Sequence, residues 1–130
     1  MDDHEYNGVI IYGIKAGEAI TLFDTVFFKN DTDPVWEADA TAASGEYPAI
    51  GIAVEAADDG AATKILVRGI IRDESWAGLT IGGAVYLGEA DGTLTQTAPS
   101  TSNDCVQIIG WAISDSEIYF DFSRPYQLVE

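Results

Sequence analysis

Slid against itself by 59 positions, the chain lays "ITLFDTVFF" (20–28) on "LTIGGAVYL" (79–87). Thr21 meets Thr80, Val26 meets Val85, Phe27 meets Tyr86 and Phe28 meets Leu87. With no gap, Val35 then meets Leu94, and "AIGIAV" (49–54) meets "IIGWAI" (108–113), Gly51 falling on Gly110 and Ala53 on Ala112. A register unbroken from 20 to 54 constrains the fold more than any single motif, because each copy must supply the same strands and turns. Beyond it "KILVRG" corresponds to "EIYFDF" once a few residues are removed from the connecting turn. The repeated unit reads as strand, hairpin, polar loop, strand, turn, strand. Two such half-barrels would protect each other's edges.

The local pattern agrees. No window keeps an i, i+3, i+4, i+7 apolar stripe for three turns, so helices are not expected. "GVIIYGI" (8–14), "DTVFFK" (24–29), "AIGIAVE" (49–55), "TKILVRGIIR" (63–72), "GAVYL" (83–87), "TLTQT" (93–97), "CVQIIGWAI" (105–113) and "EIYFDF" (117–122) are short and rich in β-branched and aromatic residues. Gly, Pro, Asn, Asp or Ser bound each run, as turns require. In the last, Ile118, Phe120 and Phe122 share one face and Tyr119 and Asp121 the other. Asp91-Gly92 reads as a type I′ hairpin turn. The expected fold is all-β, a small barrel or sandwich of two similar half-units, about 16–72 and 77–122, in one domain spanning 8–122. Tails of 1–7 and 123–130 flank it.

Apolar residues make up 47% of the 130, enough for a real core. No apolar run approaches the roughly 20 residues of a membrane span, and the acidic "MDDHEYNG" lacks the basic start and apolar stretch of a signal peptide. A single cysteine, Cys105, leaves no intrachain disulfide. Six Lys or Arg against 22 Asp or Glu give a net charge of −16. That balance argues against nucleic acid, which needs a basic patch, and against an anionic membrane surface. It fits either a repulsive exterior on a secreted or virus-facing protein or a host living in high salt, where screening shortens to about 3 Å.

Reactive constellations are scarce. The one histidine, His4, lies in the acidic N-terminal tail; "DDHE" offers metal-ligand types, but a frayed terminus is the plainer reading. Cys105 opens an apolar strand and reads as a small buried hydrophobe. "NDTDP" (30–34) and "ADDGA" (57–61) gather carboxylates without EF-hand spacing, so turn chemistry is preferred to calcium. No phosphate-binding glycine motif and no CxxC occurs; "TIGGAV" precedes a strand rather than a helix. No catalytic, metal or cofactor residue is assigned. Of the tryptophans, Trp111 takes the place of Ile52 in the repeat and is expected in the core. Trp36 and Trp76 are expected to be partly exposed, as subunit contacts or as a sugar-binding face. In the C-terminal tail "SRPYQLVE", Pro125 stops any strand, and Tyr126, Leu128 and Val129 offer apolar anchors for another subunit unless the tail frays.

The segment "GLTIGGAVYLGEADGTLTQTAPSTSNDCVQIIGWAI" resembles one common in structural proteins of tailed viruses: a "GL…G…VYL" hairpin, a "G.LT.TAP" strand, a polar loop and a "VQ.IG.A" strand. "GEAITLFDTVFFKN" and "YPAIGIAVEAADDGAATKILVRGII" are similar to small capsid decoration, or cement, proteins. The resemblance covers roughly 8 to 122. It implies a non-enzymatic, barrel-like virion protein, often a homotrimer, that sits on the outer capsid surface and bridges major capsid subunits. It carries over no catalytic residues and no cofactor. The strong acidity and the clear halving depart from the family pattern. The alternative is a receptor- or glycan-binding domain of a viral tail or fibre, using Trp36 and Trp76. A small calcium-dependent hydrolase is disfavoured by the single tail histidine.

Overall fold

The structure is a computed structural model and describes residues 2–29 and 32–130. Among the described residues eleven strands follow in order: β1 Tyr6–Lys15, β2 Thr25–Phe28, β3 Val35–Glu37, β4 Gly51–Ala53, β5 Ala62–Arg72, β6 Ala84–Leu87, β7 Leu94–Thr95, β8 Cys105–Val106, β9 Ile108–Ala112, β10 Glu117–Asp121 and β11 Gln127–Leu128. One 3₁₀ turn, Glu74–Trp76, is capped by Asp73, whose carboxylate accepts from Ser75 N. The fold is all-β, as the period-2 runs require.

One sheet runs β3-β2-β4-β5-β10-β9-β6-β7, with β1 added on β5, and curls strongly into a half-barrel; β11 and β8 pair separately. The curl brings the hairpin after β6 against the segment after β3. Thr25 N donates to Gly92 O (3.1 Å), Gly92 N to Ala38 O (2.8 Å), and Ala40 N to Gly88 O (2.8 Å). This seam joins the first third of the chain to the last.

Backbone pairings recur at the offset read from the sequence. Phe27↔Trp36 and Phe28↔Val35 correspond to Tyr86↔Thr95 and Leu87↔Leu94, and Val26↔Gly51 to Val85↔Gly110. Lys29 N donates to Pro34 O as Gly88 N does to Thr93 O, and Phe23 N to Ala53 O as Gly82 N does to Ala112 O. Phe23 and Gly82 both take positive φ, 65° and 79°. The second connecting turn is shorter by six residues, since Ala53↔Ile65 corresponds to Ala112↔Ile118.

Equivalent positions, however, face different surroundings. Phe27, Ile52 and Leu66 enter the main core, whereas Tyr86, Trp111 and Tyr119 are only half-buried. Val26 and Ile65 belong to a second, smaller cluster with Ala16, Ile20, Val35, Ala53 and Ala57, whereas Val85 and Ile118 enter the main core. The first half is therefore apolar on both faces and the second mainly on one. This corrects the placement of Trp111. It is half-buried, with the Arg124 guanidinium 5.1 Å from its ring centre. Alternation in β10 holds: Ile118, Phe120 and Phe122 are buried, Tyr119 and Asp121 half-buried. Complete burial of Phe120 contributes about 2–3 kcal/mol.

Two further corrections are local. Asp91 does not take positive φ, so the turn is not type I′; Gly92 alone does, at 72°. The reason is loop length: Gly88 and Thr93 are the last hydrogen-bonded pair, leaving four residues where a type I′ hairpin has two. The run 105–113 breaks at Gln107. Its wholly buried side chain accepts from Ala49 N and donates to Ala49 O, both at 2.8 Å, and so ties down the connection between β3 and β4.

Candidate functional site: an acidic seam and an open edge

Carboxylates from both ends of the chain gather along the seam. Gly92 packs so closely that a Cβ there would lie 2.7 Å from Asp24 Oδ1 and 2.8 Å from Glu37 Oε2. Asp24 is fixed by Thr21, whose N and Oγ1 both donate to it at 2.9 Å; Glu18 Oε2 accepts from Glu37 N at 2.8 Å. Asp39, Glu46 and Asp91 bring one oxygen each to within 4.8 Å of one another. Asp39 is buried and accepts from Thr41 N (2.9 Å) and Ser44 Oγ (2.6 Å). Asp104 Oδ1 accepts from Ala42 N at 2.9 Å. The one ion pair in this group among the described residues is Lys29 Nζ with Glu46 Oε2, 3.5 Å apart.

Crowded acids share protons. Burial, then a hydrogen bond to Asp24 and its charge, with Glu18 and Asp91 adding theirs, push Glu37 up to about 8. A hydrogen bond to Asp39, then burial, pushes Asp91 up to about 6. On Asp39 burial works upward, but hydrogen bonds from Ser44, Thr41 and Asp91 prevail and hold it below the usual range. As pH falls, Asp91 therefore takes up a proton before Asp39 does. Contact with Asp104 raises Glu89. Burial, helped by Asp104, pushes the Cys105 thiol to about 11, so it stays protonated and unreactive at neutral pH, in keeping with its expected buried place.

Each singled-out residue now has a place. Trp36 is half-buried: its indole N–H donates to Asp33 O at 2.9 Å, and Lys29 Nζ stands 3.8 Å over its ring. Trp76 is half-buried against Phe23 and Phe120, ring centres 5.8 and 6.0 Å away. The C-terminal segment folds back on its own chain. Leu128 pairs with Cys105, Val129 N donates to Asp104 O at 2.9 Å, and Tyr126 meets Tyr47 edge to face at 5.5 Å. Tyr126 and Leu128 nonetheless stay exposed, and Val129 is half-buried. His4 is not adrift: its Nε2 lies 3.6 Å from Asp3 and 3.7 Å from Asp73, and its ring sits 5.9 Å from that of Phe23. Of "NDTDP", Asn30 and Asp31 lie outside the described residues.

An opening of about 370 Å³ is shallow and lined by Val9, Ile50, Val67, Arg68, Asp121, Phe122 and Ser123. Only Arg68 and Asp121 are charged there, and each has its own partner: Arg68 Nε donates to Tyr119 Oη at 3.1 Å, and Asp121 accepts from Ser123 N at 3.0 Å. Beside it runs β1, which pairs with β5 alone. Val9 and Tyr12 on that strand are 55% and 66% exposed. Sequence reasoning missed both the seam and this edge. The seam draws on six separate segments, and no local spacing announces it. The edge could have been suspected from "YNGVIIYGI", ten residues with no carboxylate among them once Lys15 is added. No family model matches the chain, and no characterised protein matches it either.

Proposed function

We propose that this chain is a structural virion protein: it binds the outer surface of a viral capsid, bridges major capsid subunits and stabilises the shell without catalysis. The observation that carries the reading is the combination of a tightly cored all-β body with exposed apolar side chains: Val9 and Tyr12 on β1, Phe28 on β2, Leu128 on β11, and Ile113 just past β9. A protein of this kind contributes contacts that exist only in the assembled shell and stabilises it by mass action. A rigid body loses little conformational entropy on docking. The resemblance to capsid decoration proteins points the same way, and we read the matching pairings of the two halves as an internal duplication.

The glycan-binding alternative gains no support from the tryptophans, since Lys29 covers one face of Trp36 and Trp76 packs on Phe23 and Phe120. The test is co-sedimentation of the purified chain with empty shells of the virus that encodes it. Saturable binding at a fixed ratio to the capsid subunit is expected, reduced when residues 124–130 are deleted. Shells that sediment without the chain would refute the reading.

A further inference from the structure

We propose that β1 is a self-association edge, through which two copies pair antiparallel about a twofold axis at Val9. Its inner edge is satisfied by β5 from Tyr6↔Ile71 to Lys15↔Ala62. Its outer edge bonds to nothing among the described residues, so a row of N–H and C=O groups faces solvent. Natural edges are usually blunted by shortness, proline, charge or a bulge. This one is ten residues long, and between Tyr6 and Ile14 it has no proline and no charged side chain; the bulge within it falls at Gly13, beyond Tyr12, and the shift between Val9 and Ile10 places its extra residue on β5.

Charge selects a second copy as the occupant. Most of the surface of a chain with a net −16 repels its own kind. β1 carries none of the 22 acids, yet Asp2, Asp3 and Glu5 precede it, while Lys15 ends it and Lys64, itself bound to Glu55, lies beside Tyr12. Antiparallel pairing therefore lays the acidic end of one strand on the basic end of the other. Centred on Val9, the register sets Tyr6 against the partner's Tyr12 and Gly8 against the partner's Ile10, and brings the acidic residues before β1 to the end of the strand that carries the partner's Lys15. An aromatic pair and a small-to-large pair both suit an antiparallel ladder. The interface is isologous and closes at two. It concerns the free chain in solution, so its failure leaves the capsid reading standing. It differs from the trimer that the family resemblance implies.

Sedimentation over a concentration series should give a species of twice the chain mass. Val9→Glu places like charges face to face on the axis and should weaken association about tenfold or more, with the circular dichroism spectrum unchanged. Val9→Cys should form a disulfide-linked dimer under oxidised glutathione, since opposed residues on antiparallel strands lie within bridging distance. Phe28→Cys, also exposed but on β2, should not. A monomer at all concentrations, a trimer, or equal cross-linking at both cysteines would overturn the proposal.

Discussion

Phe23 holds a left-handed backbone that L-residues with large side chains rarely adopt, at a cost of about 1–2 kcal/mol. Its ring offsets that cost by packing against Trp76 and His4. Gly82 occupies the matching turn without the ring. Alanine at 23 would lose the packing and keep the strain; glycine would lose the packing and relieve it. Phe23→Gly is therefore expected to destabilise less than Phe23→Ala, by about 1 kcal/mol, in urea unfolding. The reverse order would mean that the backbone there is not left-handed. Gln107 makes a second prediction at this scale. Gln107→Leu keeps the volume but strands the N–H and C=O of Ala49, which should cost about 2–4 kcal/mol.

Among the elements, β1 is held by a close approach of two glycines. A Cβ on Gly69, whose φ is 146°, would collide with Asn7 O, and one on Gly8 with Arg68 O. Gly69→Ala should therefore lift β1 from β5. Hydrogen exchange across residues 6–12 should accelerate, with a loss of about 2 kcal/mol or more in stability. The strands themselves were largely legible in the sequence, because alternation and bounding turn residues are local signals. Val35–Glu37 and Gln127–Leu128 were not proposed as strands. Two- and three-residue pairings depend on a partner distant in sequence, so no local pattern announces them. The 59-residue offset recurs among the backbone pairings of β2, β3, β4, β6, β7 and β9, yet it misplaced Trp111. Pairing is set by the backbone, whereas the face a side chain presents is set by how the sheet curls around its core.

At the scale of the whole molecule, the seam makes stability depend on pH. Glu37 sits at about 8 when folded against an ordinary 4.5, so the folded chain holds that proton more tightly than the unfolded one. Its contribution is complete below about pH 4.5 and is lost as pH rises toward 8. Asp91 acts with the same sign between 3.8 and about 6. Asp39 and Asp121 act oppositely, their contribution falling away as pH drops through their lowered range. The melting temperature should therefore decline between pH 5 and pH 8. Glu37→Gln, which keeps a hydrogen-bond donor toward Asp24 without a charge, should raise stability at pH 8 by about 1 kcal/mol after allowance for solvent screening and flatten the decline. A variant no more stable than the parent at pH 8 would contradict the proton-sharing geometry. None of this could be read from the sequence beyond the −16, since the crowding exists only after the curl brings Asp91 to Asp39 and Gly92 to Glu37.

The same curl gives the molecule its character: one strongly curled sheet joined at a seam, with an apolar, carboxylate-free strand left open. The central claim is that such a body works by adhering to a larger shell. Electron cryomicroscopy of particles made with and without the gene tests it most directly. Difference density of this chain's size is expected on the outer capsid surface, with shells that disrupt at lower temperature when it is missing. Identical outer surfaces in the two reconstructions would contradict it.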